Sequence, residues 1–139
     1  MSYKIIGKYI KNVNFSIPNP RTFFLLTKDI ENYKINIDIK SNQVKQNIIE
    51  VITSLNLTPT KDDFEPINTS IVFSTIIELQ NDKIEKKEME KIILVDVPSE
   101  IYSELRIIFI NLFEKSGFKE IKINETVDFE KLYEMRKVQ

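Results

Sequence analysis

The run Leu105-Arg106-Ile107-Ile108-Phe109-Ile110-Asn111-Leu112-Phe113 narrows most what this chain can fold into. It follows Pro98-Ser99 and precedes Gly117, so it reads as a helix capped at about Ser99 and ended at about Ser116. A surface helix carries one apolar stripe, roughly 100° wide, and a polar back. Here Ile101, Leu105, Ile108 and Leu112 form one stripe, Tyr102, Phe109 and Phe113 form a second, and Ile107 and Ile110 sit between them. Such a cylinder, about 10 Å across, needs cover on more than one side. The chain's own sheet supplies one side. The other predicts a second copy of the chain, with Tyr102, Leu105, Ile108, Phe109 and Leu112 as candidate interface residues.

The sequence has 139 residues, the size of one ordinary domain, and is read as a single domain over 1–139. Apolar residues make up 42% and charged residues 29%, a globular balance. With 20 basic and 21 acidic residues the net charge is −1, which argues against nucleic acid as a partner, since phosphate binding needs an excess of Lys and Arg. There is no His and no Cys. That excludes the usual zinc sites, Cys or His catalysis, Ser-His-Asp triads and disulfides, and it fits a reducing cytoplasm. Two glycines, Gly7 and Gly117, are too few for a GxGxxG turn or a phosphate loop. No charge-free stretch of about 20 apolar residues exists to span a membrane. The segment Met1-Ser2-Tyr3-Lys4-Ile5-Ile6-Gly7-Lys8 lacks the apolar region of a signal peptide. These absences remove most enzyme classes and leave carboxylate, Ser, Tyr or Lys chemistry, which no spacing in the sequence demands; the expectation is a protein with no cofactor, no metal and no enzymatic activity.

Period-two alternation marks four strands. Val13, Phe15 and Ile17 alternate with Asn12, Asn14 and Ser16 in a strand over 3–17, which Pro18-Asn19-Pro20 ends. Ile35, Ile37 and Ile39 mark a second, which Ser41-Asn42-Gln43 is expected to bulge or bend. Ile49, Val51, Thr53, Leu55 and Leu57 share one face of a third, over 48–58. Ile71, Phe73, Thr75, Ile77 and Leu79 share one face of a fourth, over 69–79. Residues 19–32 read as a connection that is unusually apolar at Phe23-Phe24-Leu25-Leu26, and 59–67 as a turn rich in Pro and Asp. A short helix is expected over 85–94, then Val95-Asp96-Val97 extended before Pro98. A last helix over 128–136 has Phe129, Leu132 and Tyr133 on one side. Four strands followed by helices indicate an α+β fold with an antiparallel sheet.

Five segments in this order resemble the SecB family of protein-export chaperones. Tyr9-Ile10-Lys11-Asn12-Val13-Asn14-Phe15-Ser16-Ile17-Pro18-Asn19-Pro20 is similar to the family's first strand and its exit, and Glu88 to Pro98 to the segment before its long helix. Arg106 falls where that helix usually has an Arg, Ser116-Gly117-Phe118 matches its exit, and Val127 to Tyr133 matches the closing motif. The resemblance implies a four-stranded antiparallel sheet with a long C-terminal helix across one face and shorter helices around it. It implies a homotetramer, a dimer of dimers, with the long helices near its centre. It implies an ATP-independent holdase, which keeps unfolded polypeptides export-competent in apolar grooves. On this chain the crossover is residues 19–33, so Phe23, Phe24, Leu25, Leu26 and Tyr33 are the candidate client-binding residues.

Two departures bear on partners. The family's aromatic-proline-aromatic helix start reads here Ile101-Tyr102-Ser103-Glu104. The SecA motor, a partner the resemblance implies, meets acidic residues on the outer sheet face of typical members. The two such positions in the first strand are Asn12 and Ser16 here, and the tail Met135-Arg136-Lys137-Val138-Gln139 is basic. This points away from SecA and toward an alternative, a SecB-like module dedicated to one partner such as an antitoxin. The remaining charged features have bland readings. The run from Asp82 to Glu88 is a solvated turn and helix start, Asp62, Asp63 and Glu65 fit no metal loop, and Glu100 with Glu104 is an ordinary pair one helical turn apart.

Overall fold

The computed structural model describes residues 2–29, 33–59, 68–81, 83–118 and 123–138. Four strands form one antiparallel sheet, β1 (Tyr3–Ser16), β2 (Tyr33–Lys45), β3 (Ile48–Pro59) and β4 (Asn68–Leu79), in the spatial order β1-β4-β3-β2. The fold is α+β, as the sequence pattern indicates. The expected turn over 59–67, with Asp62, Asp63 and Glu65, lies almost wholly outside the described residues.

Alternation places one apolar row of each strand beneath the helices. Leu55, Leu57, Ile71 and Phe73 pack under Ile101, Leu105, Phe109 and Phe113. Ile49, Val51, Ile77 and Leu79 pack with Tyr3, Ile92 and Val97. Burying each such side chain contributes about 1.5–3 kcal/mol, so these two rows hold the helical layer to the sheet. β1 keeps its apolar residues on this side only by two bulges, between Ile5 and Gly7 and between Ile10 and Asn12. The extra residue Lys11 lets Ile10 and Val13, three apart, both face the helical side, opposite Phe73 and Ile71.

Three expectations for the connections are corrected. Residues 19–32 are not simply a loop, because Pro20–Asp29 is a helix, α1. Asn19 caps it, its side-chain Oδ1 accepting the Thr22 N–H at 2.8 Å, and Pro20 occupies the first helical position, where a missing N–H costs nothing. Ser41-Asn42-Gln43 stays in the strand, and the register shift falls after it, between Gln43 and Lys45. Val95-Asp96-Val97 is helical, not extended: α2 (Lys86–Lys91), a π-helical turn (Ile92–Asp96) and α3 (Val97–Lys115) run on as one helix. Ser99 is therefore inside the helix rather than its cap, with Pro98 in the first turn of α3.

The helix exit is as expected. Gly117 has φ +101°, Phe118 N–H donates to the Phe113 carbonyl at 3.1 Å, and Gly117 N–H donates to that of Glu114 at 3.2 Å. This is the six-to-one and five-to-two pairing of a Schellman ending. The chain returns along α3, where the Tyr102 hydroxyl donates to the Asn124 carbonyl at 2.8 Å and Arg106 Nε to that of Ile123 at 3.1 Å. It ends in α4 (Phe129–Val138), capped by Asp128, whose Oδ1 accepts the Lys131 N–H at 3.0 Å.

Candidate functional site

Strand β2 lies at the edge of the sheet and, among the described residues, pairs only with β3. Its apolar residues Ile37 and Ile39 point toward the helices. Both pack on a small buried cluster of Val95 from the π-helical turn, Tyr102 from α3 and Phe129 from α4, and Ile37 also borders the main core beneath α3. The packing there is incomplete. A cavity of ≈270 Å³ remains, walled by Ile37, Asp38 and Ile39 of β2, Leu94 of the π-helical turn, and Phe129, Leu132 and Tyr133 of α4.

The α4 wall is pinned at both ends of its first turn. Phe129 is 2% exposed, and its ring lies 5.9 Å from that of Tyr102. Tyr133 donates its hydroxyl to the Glu90 carboxylate of α2 at 3.0 Å. Leu132, between them, is 46% exposed at the cavity mouth. The site therefore combines aliphatic and aromatic side chains with about as much polar surface, the Asp38 carboxylate at its wall, and the outer edge of a strand that, among the described residues, pairs on one side only. Such an edge offers main-chain donors and acceptors to any extended segment laid beside it.

The sequence-predicted client residues do not converge on this cavity. Leu26 is fully buried in the core beneath α1. Phe23 is partly buried, its ring 5.0 Å from Phe118, as part of an aromatic cluster with Phe15, Phe109 and Phe113. Leu25 is half-buried, and Phe24 stands out at 67% exposure. Tyr33 begins β2, the strand that walls the cavity, and its side chain lies outside the described residues. Sequence reasoning read Ile37, Ile39, Phe129, Leu132 and Tyr133 as packing residues. The signal that they also leave a gap was the edge position of β2, which only the sheet order reveals.

The candidate interface residues divide in the same way. Tyr102, Leu105 and Phe109 are buried within the chain itself, Leu105 and Phe109 in the core with the sheet residues Leu55, Leu57, Ile71 and Phe73, and Tyr102 with Val95 and Phe129. Ile108 and Leu112 are half-buried. The uncovered apolar surface lies beside them: Ile107 at 55% exposure on α3, and Ile6, Ile10 and Val13 at 41–47% on β1.

The polar groups are held rather than poised. On the outer sheet face, Glu50 accepts from Ser74 at 2.7 Å, from Tyr9 at 2.9 Å and from Lys11 at 3.2 Å, tying β3 to β4 and β1. These hydrogen bonds, led by that of Ser74, bring its carboxyl down to about 2. Burial and the hydrogen bond to Glu100 push the Tyr3 phenol up, and burial with the Glu90 bond does the same for Tyr133. Glu100 and Glu104 are each engaged with β1, through Tyr3 and Lys8 respectively. The Glu50 carboxyl and the Tyr3 and Tyr133 phenols thus move further from pH 7, the opposite of what proton transfer there requires. Among the described residues no group of three His, Cys, Asp or Glu is placed to hold a metal, and no helix is long and apolar enough to cross a membrane.

Known proteins share this architecture. A SecB-like chaperone of Mycobacterium tuberculosis, solved with an antitoxin peptide, superposes with a TM-score of 0.64 over 91% of this chain and 88% of its own, at 10% identity. The fold is thus that of SecB-like chaperones. The family model described as preprotein translocase subunit SecB matches residues 1–139. A Pelagibacter ubique protein assigned to SecB protein export is 41% identical over 97% of this chain and 96% of its own. SecB proteins of Anaplasma phagocytophilum and Burkholderia lata are 21% and 23% identical, over 94% and 99% of this chain and 90% and 83% of theirs. The chain belongs to the SecB family of protein-export chaperones, a family without enzymatic activity.

Proposed function

We propose that this SecB-family chaperone is an ATP-independent holdase that receives extended segments of unfolded polypeptides at the β2 edge, with apolar side chains entering the cavity under α4. The observation that carries this reading is the coincidence on β2 of a cavity with Ile37, Ile39, Phe129 and Leu132 in its wall and a strand edge that is open among the described residues. Burial contributes roughly 25 cal/mol per Å² of apolar surface removed from water, without demanding a particular sequence. Main-chain pairing along the edge is equally tolerant of sequence. Together they suit a binder of unfolded chains. Phe24, exposed on α1, is a second apolar contact for the same clients.

Assembly follows from the surface left bare. Ile6, Ile10 and Val13 on β1 and Ile107 on α3 are the residues a second copy covers, giving the homo-oligomer, a tetramer of paired dimers, in which several sites act with avidity. A second reading, a module dedicated to one partner, draws support from the outer face of β1. Asn12, Asn14 and Ser16 are exposed and uncharged, which leaves no acidic contact for a SecA-like motor on this strand. Two unrelated unfolded proteins, offered in turn to the full chain, separate the readings. A holdase binds both with similar affinity and loses affinity for both in Leu132→Ser. A dedicated module binds neither, and that outcome overturns the holdase.

A further inference from the structure

A proline inside a helix has no N–H for the carbonyl four residues back and presses its ring on that carbonyl. At Pro98 the carbonyl concerned is that of Leu94, in the cavity wall. The helix accommodates the ring by the π-helical turn Ile92–Asp96, in which the Val97 N–H donates to the Ile92 carbonyl, five residues back. An extra residue in a turn rotates everything N-terminal to it by about 100° relative to the helix that follows. Two consequences are visible. Ile92 lies on the same face as Val97, in the cluster over Ile49 and Ile77, and is 1% exposed, whereas Ile93 is half-buried at its margin. Glu90 on α2 faces Tyr133 on α4.

In an uninterrupted α-helix each of these places passes to the next residue. Ile93 takes the place of Ile92, an exchange of like for like at the most buried of these positions, while Glu90 takes that of half-buried Met89 at the cluster's margin. Lys91 takes the place of Glu90, and the Tyr133 hydroxyl loses its carboxylate acceptor. The fully buried position is thus filled by isoleucine in either register, but the Glu90–Tyr133 bond between α2 and α4 exists only in the register with the π-helical turn. π-Helical turns recur at functional sites, and here the turn decides which side chain meets α4.

We infer that Pro98 is a positioning residue of the polypeptide site: by imposing the π-helical turn it aims Glu90 at Tyr133 and so holds α4 as the wall of the cavity. This rests on the proposed reading of that cavity. Pro98→Ala restores a donor to Leu94 and removes the ring, so the helix relaxes to the regular register.

The test has two arms on the full chain. In the first, Ile92→Val lowers the thermal unfolding midpoint more than Ile93→Val does, and in the Pro98→Ala background that order inverts. An unchanged order shows that Pro98 does not set the register and overturns the inference. In the second, affinity for a permanently unfolded, reduced and alkylated protein falls several-fold in Pro98→Ala and in Tyr133→Phe, and the two changes combined lose no more than either alone. Additive losses, or unchanged affinity after the register has inverted, overturn it as well. Leu132→Ser separates this failure from that of the cavity itself: if it too leaves affinity unchanged, the cavity reading falls, and the midpoint order still decides the register.

Discussion

The ring of Phe23 on α1 stands 3.3 Å from the place a Cβ on Gly117 would occupy, and its centroid is 5.0 Å from that of Phe118. The ending of the long helix and the helix after the first strand therefore share one contact. Gly117 is required twice, once for its φ of +101° and once for the space Phe23 fills. Gly117→Ala is expected to destabilise the fold by about 1–2 kcal/mol. Denaturant unfolding at constant m-value checks it, and a neutral result would mean that α1 does not dock there.

Glu50 gives the fold an acid dependence. Its carboxyl, ordinarily near 4.5, is held down to about 2 by Ser74, Tyr9 and Lys11. A depressed carboxyl contributes stability that is fully present above its unfolded value and is lost as pH falls toward its folded one. Wild-type stability should thus decline between about pH 5 and pH 2. Glu50→Gln should be less stable at pH 7 by about 1–3 kcal/mol, as for hydrogen bonds to a charged group, and should show a shallower decline. Denaturant curves at pH 7, 4 and 3 for both chains measure the difference.

Thr75 offers the opposite case. It is fully buried on the helical side of β4, and its hydroxyl finds no hydrogen-bond partner among the described residues. Thr75→Val keeps the shape and removes the orphan hydroxyl, so it should stabilise by about 1 kcal/mol. The thermal midpoint should rise, and a fall would reveal a partner for the hydroxyl.

Assembly and folding should separate cleanly by residue. Leu105 is fully buried, so Leu105→Lys should unfold the chain, at a cost of more than about 4 kcal/mol for an unpaired buried charge in a packed core. Ile10→Glu or Ile107→Glu should reduce the mass seen by light scattering while leaving the circular dichroism spectrum intact, because both side chains are exposed in a single copy. An unaltered mass would place the interface elsewhere.

Which parts of this were legible in the sequence follows from the range of the interactions. Strand alternation, the Gly117 exit and the Asp128 start are local, and they lie where periodicity and cap chemistry put them. α1 was locally legible too, from Asn19 as cap and Pro20 after it, but the same Pro18-Asn19-Pro20 also reads as a strand terminator and hides the helix start. The π-helical turn was not legible: an X-Pro step favours extended backbone locally, and burial of Ile92 and Val95 on both flanks overrides that preference. The cavity was least accessible, since Ile37 and Phe129 meet only through sheet order and the return of the chain along α3. Which faces of α3 the chain's own sheet covers is a tertiary fact that spacing does not encode.

Hydrogen exchange of the full chain, with and without a saturating permanently unfolded polypeptide, tests the central claim most directly. The account expects added protection at the main-chain amides of β2 around residues 37–39 and in α4 over 129–133. Protection confined to other parts of the chain, with β2 and α4 exchanging as before, would contradict it.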